Sequence, residues 1–507
     1  MAVLKTAFAN GEDFKLSADA DITGQSVSVP AGKSVVLDLN GYTLTADNSA
    51  TGKIIVLGKM TLKDSSTEKK GKIVASQDYT AASYNGSLIE IAGEDASMTM
   101  ESGNISAVRE TPDSNGQYGV GVTDGGDFTM TGGKIEAGWF AVAGNGNYKT
   151  QNSIINITDG ELISTADYAV YLPQSGTTTI SGGKVYGAAG GVCIQRGTLN
   201  VEGTALITSK GTGSTGNWGD GTGKLGCAAI NVSGAYGIAT VNIKGGTLTA
   251  EAESLITEGT DYTPVINVTG GTFSDPSVLK YMATNATVDI KLLSNINIAK
   301  TELATGYILN AANATANLNL NGHDIINSSE TADATPFTQI FTVQNGTLNI
   351  SGNGNVKCDA SATAKDDGYR MVIEARGYGT VNIHGGSYYN TQKLNTQIDL
   401  IYARENGKIN IYGGTFESGK YGTPNNDTDG RYWVLNLKNT DKNTASIQVS
   451  GGTFINFNPA NPNMDDNESY LVTGYEVTRD GSVYTAAHKV GDGRKEYIVG
   501  QTSQENR

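Results

Sequence analysis

Val241-Asn242-Ile243-Lys244-Gly245-Gly246-Thr247-Leu248 is written, with variations, from one end of the chain to the other. It returns at residues 128–135, 178–185, 266–273, 381–388, 409–416 and 447–454. Val241 and Ile243 have period-two spacing, which puts them on one face of a strand and Asn242 and Lys244 on the other. The glycine pair then supplies a corner, since glycine accepts positive φ and a crowded backbone, and Leu248 turns inward again.

The second glycine of the pair recurs about every 23–28 residues (Gly133, Gly160, Gly183; Gly246, Gly271; Gly386, Gly414), a spacing that marks a solenoid. A further apolar alternation lies between the corners, as in Ser87-Leu88-Ile89-Glu90-Ile91, Tyr168-Ala169-Val170-Tyr171-Leu172, Gln339-Ile340-Phe341-Thr342-Val343 and Tyr432-Trp433-Val434-Leu435-Asn436-Leu437. Each period therefore holds about three short strands, which is one coil of a parallel β-helix. Parallel crossovers favour one hand, so the sequence predicts an all-β, right-handed parallel β-helix. A sandwich rarely repeats its sequence, and a propeller prefers a period of about 40 or more.

A chain of 507 residues exceeds an ordinary domain, but a solenoid grows by adding coils. With 66 Gly and only 17% charged residues, its walls must be covered largely by Asn, Thr, Ser and Gly. The formal net charge of −15, with no basic cluster to offset it, argues against nucleic acid and against anionic membranes as partners. The opening Met1-Ala2-Val3-Leu4-Lys5-Thr6 lacks a signal-peptide pattern and no apolar run approaches the ~18 residues of a membrane span, so cytoplasmic synthesis is expected. Cys193, Cys227 and Cys358 fit neither a disulfide framework nor a CxxC pattern and read as small buried hydrophobes.

In chain order, Phe14-Lys15-Leu16 and Ile22 read as a cap strand over the open end of the first coil, and regular winding starts at Val35. The pattern stops after Phe273. Asp275-Pro276 supplies a helix cap and a first-turn proline, predicting a short closing helix over residues 277–282. Asp289-Ile290-Lys291-Leu292 then repeats Asp13-Phe14-Lys15-Leu16, and Leu318-Asn319-Leu320-Asn321-Gly322-His323 repeats Leu37-Asp38-Leu39-Asn40-Gly41-Tyr42. This duplication predicts two tandem β-helices, residues 1–283 and 284–474, with a boundary near 281–287. Residues 475–507 should hold a hairpin turning at Asp480-Gly481 and a polar tail.

The search for chemistry is mostly negative. His323, His384 and His488 lie far apart, and Gly219-Asp220-Gly221-Thr222-Gly223-Lys224 lacks the spacing of a phosphate loop, so no cofactor is predicted. Two acidic loops offer oxygen ligands suited to calcium, with Asp427 and Asp429 in one and Asp465 and Asp466 in the other, yet neither completes a calcium-binding repeat. Asp366, Asp367, Arg370, Asp399, Arg404, Asp429 and Arg431 are the candidates for polysaccharide cleavage, but their spacing singles out no pair, so no enzymatic activity is expected. Tyrosines crowd the second solenoid: Tyr389, Tyr402, Tyr412, Tyr421 and Tyr432 could offer flat faces to a sugar ring or a second subunit. Tyr412, opposite in phase to Ile411, should be outside, while Tyr388 and Trp433 suit the core. Asn156, Asn200, Asn242, Asn267, Asn349, Asn382 and Asn410 each precede an inward Ile or Val, which predicts amides hydrogen-bonded from coil to coil.

The Asn-Ile-x-Gly-Gly-Thr-Phe coils, the Leu37–Tyr42 opening and the Tyr475-Glu476-Val477-Thr478-Arg479-Asp480-Gly481-Ser482-Val483-Tyr484 ending resemble β-helical proteins of gut Bacteroidales and of their crAss-like phages. Within that group the chain is most similar to a head fibre or capsid-decorating virion protein. The resemblance implies a structural part of the particle, made in the host cytoplasm, with capsid proteins as partners, a homotrimeric state and contact with host surface glycans. Two other classes stay open: a receptor-binding or depolymerising tail spike, which needs a carboxylate groove, and a bacterial surface adhesin, which needs export.

Overall fold

The computed structural model describes residues 2–47, 52–76, 86–108, 117–144, 152–212, 226–258, 262–298, 306–327, 337–358, 369–390, 398–418, 432–462 and 468–489. The chain forms a parallel β-helix and divides into two compact units, residues 1–295 with 309–321, and residues 296–308 with 322–507.

The first unit is built of three parallel ladders, one for each side of a coil. On the first, the inward residues stack in register: Leu37, Leu62, Met100, Met130, Ile157, Ile180, Val201, Ile243 and Val268 are successive neighbours. Every one of these side chains is essentially buried. The second ladder carries Ile73, Ile105, Ile135, Leu162, Val185, Ile207, Leu248 and Phe273, and the third Val142, Val170, Val192, Ile230 and Leu255. Each such side chain contributes about 1.5–3 kcal/mol by leaving water. A one-residue slip would expose a whole coil's set, so the period-two pattern fixes the register. The corner between the first two ladders is the glycine pair. Gly246 sits at φ +80°, a conformation that would strain a residue with a Cβ.

The open end of the first coil is covered by a helix, Ala2–Asn10, rather than by a strand alone. Its Leu4, Ala7 and Phe8 are buried and it packs on the strands Phe14–Lys15 and Val27–Val29. Gly11 ends it at φ +79°, with its N–H on the Phe8 carbonyl (3.1 Å) and that of Glu12 on the Ala7 carbonyl (2.8 Å). That pair of bonds is a Schellman cap. Phe14–Lys15 and Ala20–Asp21 pair with the strands Ser34–Asp38 and Thr43–Ala46 as ordinary coil strands.

After Phe273 the expected closing turn forms as a 3-10 helix, Pro276–Tyr281, whose N-cap Asp275 accepts from the Ser277 N–H at 2.9 Å. The strand Thr287–Lys291, whose sequence copies the start of the chain, continues the second ladder. Ile290 pairs with Phe273 on one side and Leu318 on the other, so this duplicated cap stacks within the first unit.

In the second unit, Leu348, Val381, Ile409 and Ile447 form one inward stack and Phe341, Ile373, Ile401 and Leu435 another. Ile325, Val356, Tyr388, Phe416 and Phe454 form the third. The rings of Tyr388, Phe416 and Phe454 lie parallel at 5.0 Å centroid separations. Tyr388 is fully buried, its hydroxyl donating to the Gly385 carbonyl at 2.9 Å, whereas Trp433 is only partly buried. The hairpin of Tyr475–Asp480 and Val483–His488 turns through Gly481 and Ser482, one residue later than expected because Asp480 still pairs with Val483, and lays its second strand antiparallel on Gly452–Ile455. It covers the edge that a last parallel strand would leave exposed. Cys193, Cys227 and Cys358 are buried thiols, none of them in a disulfide.

Candidate functional site

Ile383 and Ile411 are register partners, so the residues after them, His384 and Tyr412, stand over one another at the corner of adjacent coils. Their rings stack at 4.7 Å and 8°. The Tyr412 N–H is tied to the Ile383 carbonyl at 2.8 Å, while its side chain is 50% exposed. In the next coil the equivalent slot, after Val449, holds the small Ser450, whose hydroxyl donates to the Ile411 carbonyl at 3.3 Å. The result is a small flat aromatic step with a phenol and an imidazole at its rim, a surface suited to a sugar ring or to another aromatic residue.

The other tyrosines named from sequence do not join this step. Tyr389 is partly buried between Lys357 and Glu417, its register neighbours on the third ladder. Tyr402, on a different ladder, lies between Glu374 and Asn436. Burial, with Asp399 and Glu374 nearby, pushes its phenol up to about 12. Tyr432 contributes backbone to the strand Tyr432–Leu437, and Tyr421 lies outside the described residues. Tyr378, which sequence reading passed over, is 75% exposed beside Gly377.

Arg404 and Asp399, named as groove candidates, are committed to the wall. The Arg404 Nε donates to Glu374 Oε1 at 2.6 Å and its Nη1 contacts Glu405. Burial disfavours the charged guanidinium, yet the Glu374 bond and charge more than offset this and its pKa rises. Glu374 is 1% exposed and also accepts from Gln339 Nε2 at 2.9 Å, with Thr342 donating to Gln339 in turn. Asp399 is buried and accepts from Asn436 Nδ2 at 2.9 Å. These are clamps between neighbouring coils. Arg370 contributes backbone to the strand Tyr369–Ile383, while Asp366, Asp367, Asp429 and Arg431 lie outside the described residues. So do Asp427, Asp465 and Asp466, the remaining calcium candidates. Among the described residues no three His, Cys, Asp or Glu side chains converge as a metal site, and no helix is long and apolar enough to cross a membrane.

The first unit holds a feature that the repeat does not announce. A surface cleft of about 520 Å³ lies where the regular pattern breaks, lined by Thr257, Tyr262, Thr263, Pro264, Lys280 and Tyr281, with Ile266 and Met282 also lining it. Its signal in the sequence was the interruption itself, with Tyr262 and Tyr281 flanking the Gly270-Gly271 coil.

Comparison of the chain with protein-family models, with characterised proteins and with solved structures yields no match.

Proposed function

We propose that this protein is a non-enzymatic structural component of a phage particle, a head fibre or capsid-decorating protein that assembles as a homotrimer. One observation carries most of the weight: apolar stacks and side-chain amide bonds run in register from coil to coil within each unit. Such a scaffold gains stiffness with every added coil and needs no active centre to serve as a spacer or display surface. Neutral polar walls and a net charge of −15 keep many copies soluble at high local density. The resemblance of the repeats to β-helical virion proteins of crAss-like phages adds the particle.

Contact with host glycans is favoured by the exposed His384–Tyr412 step, which leaves an aromatic face free for a pyranose. The reading is tested by incubating the purified chain with host capsular polysaccharide and measuring polymer length, which should not change. Depolymerisation that Asp429→Asn or Asp366→Asn abolishes would replace this reading with a catalytic spike. Light scattering that gives a monomer mass would remove the trimer.

A further inference from the structure

The geometry points to the cleft of the first unit as a binding site for a carboxylated sugar, held between Tyr262 and Tyr281 with Lys280 as counter-charge. The wall that carries Lys280 and Tyr281 is held in place for identifiable reasons. Asp275 anchors the turn that carries Lys280 and Tyr281: its Oδ2 accepts from the Ser254 N–H at 2.6 Å and its Oδ1 from Ser277. The chain leaving that turn is fixed by the Ala283 N–H on the Val268 carbonyl at 2.9 Å. Tyr281 is oriented from the opposite wall, its hydroxyl 3.1 Å from Thr257 Oγ1. The Lys280 ammonium sits 4.8 Å from the centre of the Tyr281 ring. A cation and an aromatic face are thus presented together, and Tyr262, 48% exposed, supplies a second ring.

The chemistry of the lining selects the ligand class. Phenol rings suit the C–H face of a pyranose, and the hydroxyls of Thr257 and Thr263 suit its hydroxyl rim. A volume of about 520 Å³ lies within the roughly 300–1,000 Å³ of small-molecule sites. Among the described residues that line the cleft none is acidic, and Lys280 brings a positive charge that favours a carboxylate. The chain's net negative charge does not cancel this preference, because at physiological salt charges beyond about 8 Å are screened.

The site stands apart from the particle role, and its test uses the isolated full-length chain rather than virions. Methyl glucuronide and methyl glucoside are titrated by calorimetry. The glucuronide should saturate and bind about tenfold more tightly than the glucoside. Tyr262→Ala should weaken both by about tenfold, and Lys280→Gln should bring the two sugars within about twofold while leaving the glucoside unchanged. Both side chains are substantially exposed, so unchanged melting temperatures will show that the variants remain folded. Saturation by neither sugar, equal affinity for both, or binding indifferent to both substitutions would overturn the assignment.

Discussion

Asn242 donates its side-chain amide to the Oδ1 of Asn200 at 2.9 Å, one coil away. Its own Oδ1 accepts from Asn267 in the coil beyond at 3.0 Å, and Asn200 continues to Thr179 at 3.5 Å. The same ladder is rebuilt in the second unit, where Asn410 donates to Asn382 at 2.8 Å and Asn382 to Asn349 at 2.7 Å. Both ladders occupy an outward slot, and each of their Asn residues is followed by a buried Ile or Val. Backbone pairing and side-chain pairing therefore enforce a single register.

Asn242→Ala removes two of these bonds at a partly exposed site and should cost about 1–2 kcal/mol. Asn242→Asp should cost more, because a carboxylate would face the Asn200 carbonyl oxygen in place of a donor. Chemical denaturation of both variants measures the difference. Equal stability of the aspartate variant and the parent would deny the ladder its role.

Ile243 is fully buried between Val201 and Val268. Truncation to Ala should destabilise by about 2–5 kcal/mol, and Ile243→Asp should disrupt the coil by more than about 4 kcal/mol through an unpaired internal charge. Limited proteolysis should then cut near this coil. A variant as resistant as the parent would mean that the side chain faces water.

Arg404→Ala leaves the buried Glu374 with only Gln339 as a side-chain hydrogen-bond partner among the described residues. The expected loss is about 3–5 kcal/mol, most of it the cost of stranding the carboxylate. Adding Glu374→Gln removes that charge and should recover part of the loss. A double variant less stable than Arg404→Ala alone would contradict this.

Asp167 gives the pH dependence a distinctive sign. Burial raises its carboxyl to about 7, although the Tyr168 N–H, donating at 2.8 Å, opposes the shift. A folded pKa above the unfolded one contributes stability that is complete below the ordinary carboxylate range and is lost as pH rises through about 7. Asp64 behaves oppositely. Burial would raise it, but N–H groups of Ser66, Gly71 and Gly41 hold it low, so its contribution is present above the ordinary range and lost as acid protonates it. Asp167→Asn should therefore raise the melting temperature more at pH 8 than at pH 4. Parallel curves for variant and parent would contradict the buried-acid reading.

Much of the fold was legible in sequence because a solenoid repeats local rules: alternation at Val241 and Ile243, a corner at Gly245-Gly246, a cap at Asp275-Pro276, and a hairpin whose turn, at Gly481-Ser482, falls one residue beyond the Asp480-Gly481 expected. The helix Ala2–Asn10 was not, since three apolar contacts at Leu4, Ala7 and Phe8 in nine residues leave too short a periodic signal. Sequence put Thr287–Lys291 with a second solenoid because it copies the first cap, but strand pairing follows which edge is open, and Phe273 offered one to Ile290. Of the candidate sites, Tyr412 was readable from its phase against Ile411, and the structure places it outward. Arg404 was named without its partner, since Glu374 becomes its neighbour only when two coils stack. The cleft left only the interrupted repeat as its trace, because its lining is assembled from three separated segments.

If this chain is the structural part of a phage head proposed above, electron cryo-imaging of purified particles will show density for the β-helix on the head surface in symmetric copies. Density confined to the tail tip, or a protein absent from particles and anchored on bacterial cells, would contradict it.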